Sequence, residues 1–283
     1  MPGPCAPAIR LRCSLLARVL FFWFIPFLAA SASVVQPAPP DIQRIAKRGE
    51  LVVALPAFDS PPFFSQRNGA LRGLDIDLAR GLAEALNVRV RFERSAASFN
   101  AVVDVIARGD ADVAICKLSR TLARAARIRF SEPYLVLHHA LAVNRLRFAE
   151  LAHGQELATV IRHFGGRLGV IEGSSYADFA VHNFPSAKLV RYQDWDTLVA
   201  ALKKGEIIAA YRDEFEVNRL LQSDPRLALT LRTVTLTDTE DSIGMAVPSG
   251  SSQLLALINL YLDQRPDKLT AEKVMDRLIE EGP

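Results

Sequence analysis

The chain has 283 residues, half of them hydrophobic, enough for one or two packed domains. Thirty-four Lys and Arg face 31 Asp and Glu, and the three arginines of residues 1–32 account for the whole excess. Beyond that first segment the chain is neutral, with no electrostatic signature of nucleic-acid binding, and its lone Cys116 excludes an intramolecular disulfide framework.

The first segment differs in kind from the rest. Arg10, Arg12 and Arg18 precede an apolar run, Val19 to Ala30, and Ala30-Ser31-Ala32 has the A-x-A form of a cleavage site. This predicts a secretory signal peptide over residues 1–32. The alternative is an uncleaved anchor: Val19 to Val35 is free of charge over 17 residues, the lower limit for a membrane span. Pro26 and the small-residue end favour cleavage. Neither Cys5 nor Cys13 sits in a lipobox, so no lipid anchor is expected.

Residues 33–47 read as a Pro-rich linker and a short helix that Asp41 caps and that runs to Arg48. Leu51 to Leu55 is a short continuous apolar run, the pattern of a buried parallel strand. Pro56 to Gly69 reads as a loop carrying Phe58, Phe63 and Phe64. Leu74, Leu78, Leu82, Ala85 and Leu86 recur at helical spacing, and Val88 to Phe92 alternates as a strand. Phe99 to Arg108 is predicted as a helix closed by Gly109. Strands alternating with helices argue for an α/β fold with a mainly parallel sheet.

Val113 to Cys116 then reads as a strand that breaks into Lys117-Leu118-Ser119-Arg120-Thr121. Leu122 to Arg129 is predicted to make about two helical turns, ended by Phe130 to Tyr134. Hydroxyls at a helix start place free backbone N–H groups at one point, an anion site. Arg124 lies three residues beyond Thr121, where a guanidinium can hold a carboxylate bidentately. The same arginines also fit the solvated face of a helix.

The run S-x-T-x-x-R followed by F-S-E-P-Y resembles the signature of the bacterial extracellular solute-binding proteins for polar amino acids. The likeness extends over roughly residues 48–262, through R-G-E-L-V-V-A-L and G-L-D-I-D-L-A. It implies a two-lobed periplasmic-binding-protein fold, each lobe a mainly parallel sheet flanked by helices, joined by two hinge strands. Residues 48–140 and 242–283 would form one lobe and residues 141–241 the other. It implies a monomer with no cofactor, an amino acid or small carboxylate as ligand, and an ABC permease as partner. Ser119, Thr121 and Arg124 match the motif, with Arg124 gripping the ligand carboxylate. Phe58 or Phe63, together with Phe99, match the aromatic clamp. Core packing would serve Phe63 and Phe99 equally well.

After Tyr134 the apolar run to Val143 reads as a crossing strand. His138-His139 has no other His or Cys at ligand-like spacing, so no metal is expected. Arg167 to Ile171 reads as a strand, and Glu172-Gly173-Ser174-Ser175 turns into a helix to Asn183. The resemblance gives Ser174 a hydrogen bond to the same carboxylate from the opposite lobe; an N-cap is the simpler role. Trp195 to Leu202 reads as helix and Ile207 to Tyr211 as strand. Asp213 stands just past it, at the sheet edge where α/β ligands bind. The resemblance gives it the ligand's α-ammonium; a pair with Arg212 is the plain alternative. Leu254 to Ile279 reads as amphipathic helix, without the family's closing aromatic element.

Two departures from the family pattern stand out. Ala123 replaces the acid usual before the arginine. Lys117 stands where small residues are usual, and needs a carboxylate partner if buried. Glu132 or Asp112 would serve, as would an acidic group on the ligand, which favours a dicarboxylate. A few proteins resembling this family are cyclohexadienyl dehydratases, for which Glu172 would be the acid. A ligand-sensing module for a partner protein is a third reading.

Overall fold

The computed structural model describes residues 38–281. The predicted signal peptide, with Cys5 and Cys13, lies outside the described residues. The chain opens with α1 (Pro40–Arg48), whose first residue is Pro and whose end is closed by Gly49 at φ 68°; Asp41 is not its cap but lies inside the first turn, where it accepts from the Leu254 N–H at 2.9 Å. β1 (Glu50–Pro56) follows, buried along almost its whole length. The segment read as a loop holds a small hairpin, β2 (Ser65–Arg67) and β3 (Ala70–Arg72). Gly73 then starts α2 (Leu74–Ala85) at φ 127°. A Cβ there would lie 2.4 Å from the Phe63 carbonyl oxygen, so only glycine fits. β4 (Arg89–Ala96), α3 (Phe99–Arg108), β5 (Val113–Ala114) and α4 (Leu122–Ala125) complete the first half.

β6 (Ile128–Asn144) is a 17-residue crossing strand. The second half comprises α5 (Arg145–Ala152), α6 (Leu157–Arg162), β7 (Arg167–Ile171), α7 (Ser175–Asn183), β8 (Lys188–Tyr192), α8 (Trp195–Lys204), β9 (Ala209–Asp213) and α9 (Glu214–Ser223). A 3₁₀ turn at Pro225–Leu229 leads into the 18-residue return strand β10 (Leu231–Pro248). α10 (Ser252–Gln264) and α11 (Ala271–Glu281) end the chain.

Two predicted elements need correction. The helix over Leu122 to Arg129 is a single turn ending at Ala125. Ile128, Arg129 and Phe130 instead pair with Pro248, Val247 and Ala246 of the return strand, and those ladder bonds outweigh the weak local helix preference. The C-terminal helix is two helices, because Pro266 cannot continue the first.

The strands run in the order β4-β1-β5-β10-β6-β9-β7-β8. β4-β1-β5 are parallel, as are β8-β7-β9; the long β6 and β10 are antiparallel to their neighbours. Two long strands thus pass between two parallel half-sheets, which makes the molecule two lobes on a double hinge. The cores are separate. Leu51 to Leu55, Ile76, Leu82, Val102, Ile106 and Met245 pack in the first lobe. In the second lobe one cluster surrounds Leu198 and Leu202 and another surrounds Leu168, Tyr176 and Tyr211. Phe215 of α9 is the exception: it packs into the core of the opposite lobe.

Candidate functional site

The site lies where the carboxyl ends of β1 and β5 meet those of β7 and β9, across the double hinge. β5 stops at Ala114, and the chain turns sharply at Lys117, whose φ of 53° is left-handed. The turn is held from behind: the Lys117 N–H donates to the Tyr134 hydroxyl at 3.1 Å, and that hydroxyl donates to Asp75 Oδ1 at 2.9 Å. Directed by this turn, the Lys117 side chain crosses to the other lobe. Its Nζ lies 3.0 Å from both carboxylate oxygens of Asp213 and 3.2 Å from Glu216 Oε1. All three side chains are at most 4 % exposed. The ammonium also stands 4.8 Å from the Phe63 ring centre and 5.2 Å from that of Phe215, a cation–π arrangement from both lobes.

Neither Glu132 nor Asp112 therefore partners Lys117. Asp112 is taken by Arg44, Arg48 and the Val52 N–H, at the amino end of β5. Asp213 also caps α9, accepting from the Glu216 N–H at 3.0 Å; Arg212 is a weaker neighbour, Nε at 3.5 Å. Burial alone would raise the Glu216 carboxyl. Lys117, Arg219 and Arg212 together hold it well below the usual carboxylate range.

Ser119 makes the second bridge. Its hydroxyl lies 2.8 Å from Ser175 Oγ and donates to Asp241 Oδ2 at 2.9 Å. Tyr176 donates to the same oxygen at 2.9 Å. Asp241 Oδ1 has no hydrogen-bond partner, and burial pushes the carboxyl up to about 6 against the pull of those two hydroxyls. Asp241, Ser175, Tyr176, Glu216 and Asn100 were not singled out in the sequence. Asp241 stands among three acids of the return strand, Asp238, Glu240 and Asp241, and no local pattern marks it out from the other two.

Arg124 lies in the first-lobe wall, 4 % exposed. Nε and Nη2 donate to Asn100 Oδ1 at 3.1 and 3.0 Å, and Nη1 to the Ser119 carbonyl at 3.0 Å. Thr121 is the N-cap of α4, accepting from the Arg124 N–H at 3.3 Å. Ser174 caps α7 and donates its own proton to the Ile171 carbonyl at 2.7 Å. A third bridge joins the lobes here: the Asn100 N–H donates to the Gly173 carbonyl at 3.2 Å.

The three phenylalanines separate. Phe63 is fully buried beneath Lys117, T-shaped to Phe215. Phe58 is 39 % exposed and stands T-shaped to Phe99 with ring centres 5.4 Å apart. Together with Trp195, Ser174 and Arg212 these two rings line a chamber of about 350 Å³ at the mouth of the cleft. Behind it, between Lys117, Ser119, Ser174, Asp213 and Asp241, only about 10 Å³ remains. Glu172 stands on the chamber rim, half exposed and paired with Arg191 at 3.2 Å. His139 is buried among Tyr176, Phe179 and Tyr211, and burial lowers its ring to about 4. Among the described residues no group of three or more His, Cys, Asp or Glu is placed to hold a metal ion.

Two α/β lobes on a double hinge, with charged and hydroxyl side chains of both meeting in the cleft, define the class of proteins that close around a small solute. Residues 51–281 match the profile of the bacterial extracellular solute-binding proteins, family 3, and the chain belongs to that family. The ABC transporter arginine-binding protein 1 of Escherichia coli K12 is 24% identical over 221 residues, 77% of this chain and 86% of that protein. A probable histidine-binding protein of Neisseria gonorrhoeae is 22% identical over 231 residues, 80% of this chain and 78% of that protein. Among solved structures, the amino acid ABC transporter substrate-binding protein AbpA of Streptococcus pneumoniae, bound to L-arginine, superposes with a TM-score of 0.65. Its identity is 26%, over 84% of this chain and 96% of that one.

Proposed function

We propose that this chain captures a small carboxylate, an amino acid or a related acid, in the cleft between its lobes and delivers it to an ABC permease. The leader predicted for residues 1–32 and the family's extracellular character support a periplasmic role. The relatives named for arginine and histidine support a ligand of this size and chemistry.

The observation that carries the reading is Arg124. A guanidinium this deeply buried ordinarily has a carboxylate beside it, since burying a charge unpaired is costly. Among the described residues Arg124 meets only neutral oxygens, those of Asn100 and Ser119. Burial lowers its pKa, and the field of Asp241 offsets this only in part. The arginine is thus held in place by its neighbours with no carboxylate at ion-pair distance among the described residues, and the fields of Asp241 and Asp178 compensate its charge only in part, an arrangement that suits an anion.

The reading is of a binding protein rather than an enzyme. A dehydratase would need its acid in the cleft, and Glu172 is on the rim in an ion pair with Arg191. Calorimetric titration of Arg124→Ala tests the carboxylate clamp. Binding is expected to weaken by several kcal/mol, about 3–5 for a buried charge that loses its partner. The variant should still melt cooperatively. Wild-type affinity in Arg124→Ala removes the arginine from the site.

A further inference from the structure

The carboxylates of the inner cleft are already matched by the protein's own donors. Asp213 has the Lys117 ammonium at 3.0 Å from each oxygen. Glu216 has Lys117 on Oε1 and Arg219 on Oε2, the latter at 2.8 Å. The rim carboxylates Asp59 and Glu172 are engaged by Arg94 and Arg191, and Asp194 caps α8. Asp196 is exposed at the mouth, outside the inner cleft. What remains inside is Oδ1 of Asp241, in a pocket with room for about one water molecule. A carboxylate that meets Arg124 brings the substituents of its α-carbon against Ser119, because Arg124 Nη1 is bonded to the Ser119 carbonyl. That is the point to which Lys117, Asp213 and Asp241 converge.

An α-ammonium arriving there would meet Lys117 first. To reach Asp213 it would have to displace an ammonium with two carboxylate partners and two aromatic faces. It would also place two like charges within a few ångströms at low dielectric, which costs more than either gains. An α-hydroxyl carries no charge and is of a size to donate to Asp241 Oδ1.

Resting on the reading of the cleft as a carboxylate site, we infer that Lys117 is a built-in counter-ion that occupies the ammonium position. The ligand is then a carboxylate whose α-carbon bears no ammonium, such as a 2-hydroxy acid. Lys117 is the residue that sets this specificity. Its left-handed backbone makes glycine an unstrained replacement, so Lys117→Gly empties the position without disturbing the turn.

The experiment is calorimetric titration of three matched pairs: alanine and lactate, glutamate and 2-hydroxyglutarate, phenylalanine and phenyllactate. In wild type the hydroxy acid of at least one pair should bind ten times or more tighter than its amine. In Lys117→Gly that ratio should fall to one or invert. A wild-type protein that binds the amino acid of a pair as tightly as the hydroxy acid, or tighter, overturns the inference, as does an unchanged ratio in Lys117→Gly. If none of the six binds wild type, the variant decides. An amino acid that titrates only Lys117→Gly supports the inference, and no gain overturns it. The arginine reading fails separately: it is lost if Arg124→Ala retains the binding of both members of a pair, whatever the ratio at Lys117.

Discussion

Behind the site stands Asp75, a fully buried carboxyl that supports the Lys117 turn through Tyr134. Its second oxygen, Oδ2, has no hydrogen-bond partner, and burial raises the carboxyl to about 7 against the pull of Tyr134 and Lys117. The folded pKa lies above the ordinary 3.8, so between about pH 4 and pH 7 the native chain binds more protons than the unfolded one. Stability therefore falls as pH rises through that window. Asp75→Asn keeps the shape and stays neutral. At pH 8 it should be more stable than wild type by up to about 4 kcal/mol, from three pK units at 1.36 kcal/mol each, and the gain should vanish near pH 4. Melting curves at the two pH values check this; equal shifts at both would show that Asp75 is not the group that titrates. The slope that persists in the variant is the sum of Asp241, raised in the same direction, and His139, whose lowered pKa acts with the opposite sign. Residues of this kind were only half visible in the sequence. Arg124, Ser119 and Asp213 lie in local patterns. The partners that give them meaning come from 24, 122 and 96 positions away, and no periodicity records such pairings.

At the level of elements, buried strands and capped helices were legible because their signals are local. Ser98 accepts from the Ala101 N–H and Gly109 closes α3 at φ 77°, so this helix has both ends written in the sequence. α4 was not legible, since its length is decided by β10, more than 100 residues later, pairing with Ile128 to Phe130. The meeting of α3 with the turn before α7 carries a prediction. Gly173 has φ 69°, its carbonyl accepts from Asn100, and a Cβ on it would lie 3.0 Å from Ser98 Oγ. Gly173→Ala should therefore strain the turn by about 1–3 kcal/mol and hold the lobes apart. Ligand affinity should drop by tenfold or more. Adding Ser98→Gly should restore part of it, because the clash lies between the lobes and the φ strain does not. No recovery in the double variant would confine the effect to the turn.

For the whole molecule, the lobes are joined by two long strands and latched by polar bridges that include Lys117 to Asp213 and Glu216, Ser60 to Glu216, Ser119 to Ser175, and Asn100 to Gly173. The first dominates, because it takes an ammonium of one lobe and two carboxylates of the other out of water together. Such a group gains little over its hydrated, separated state while intact, yet breaking it from one side leaves an uncompensated buried charge, at about 3–5 kcal/mol. The closed arrangement is thus sensitive to the loss of either side while each lobe keeps its own core. Asp213→Asn with Glu216→Gln removes both counter-charges and preserves shape, and Asn still caps α9. In the closed form this double variant buries Lys117 unpaired; in the open form Lys117 is hydrated. The population should shift toward open, seen as a larger radius of gyration by small-angle X-ray scattering, with far-ultraviolet circular dichroism unchanged. Lys117→Met in the same background removes the unpaired ammonium and should return the radius toward the wild-type value. If the radius stays the same across all three proteins, closure is held by the hydroxyl and backbone bridges and not by the ion pair.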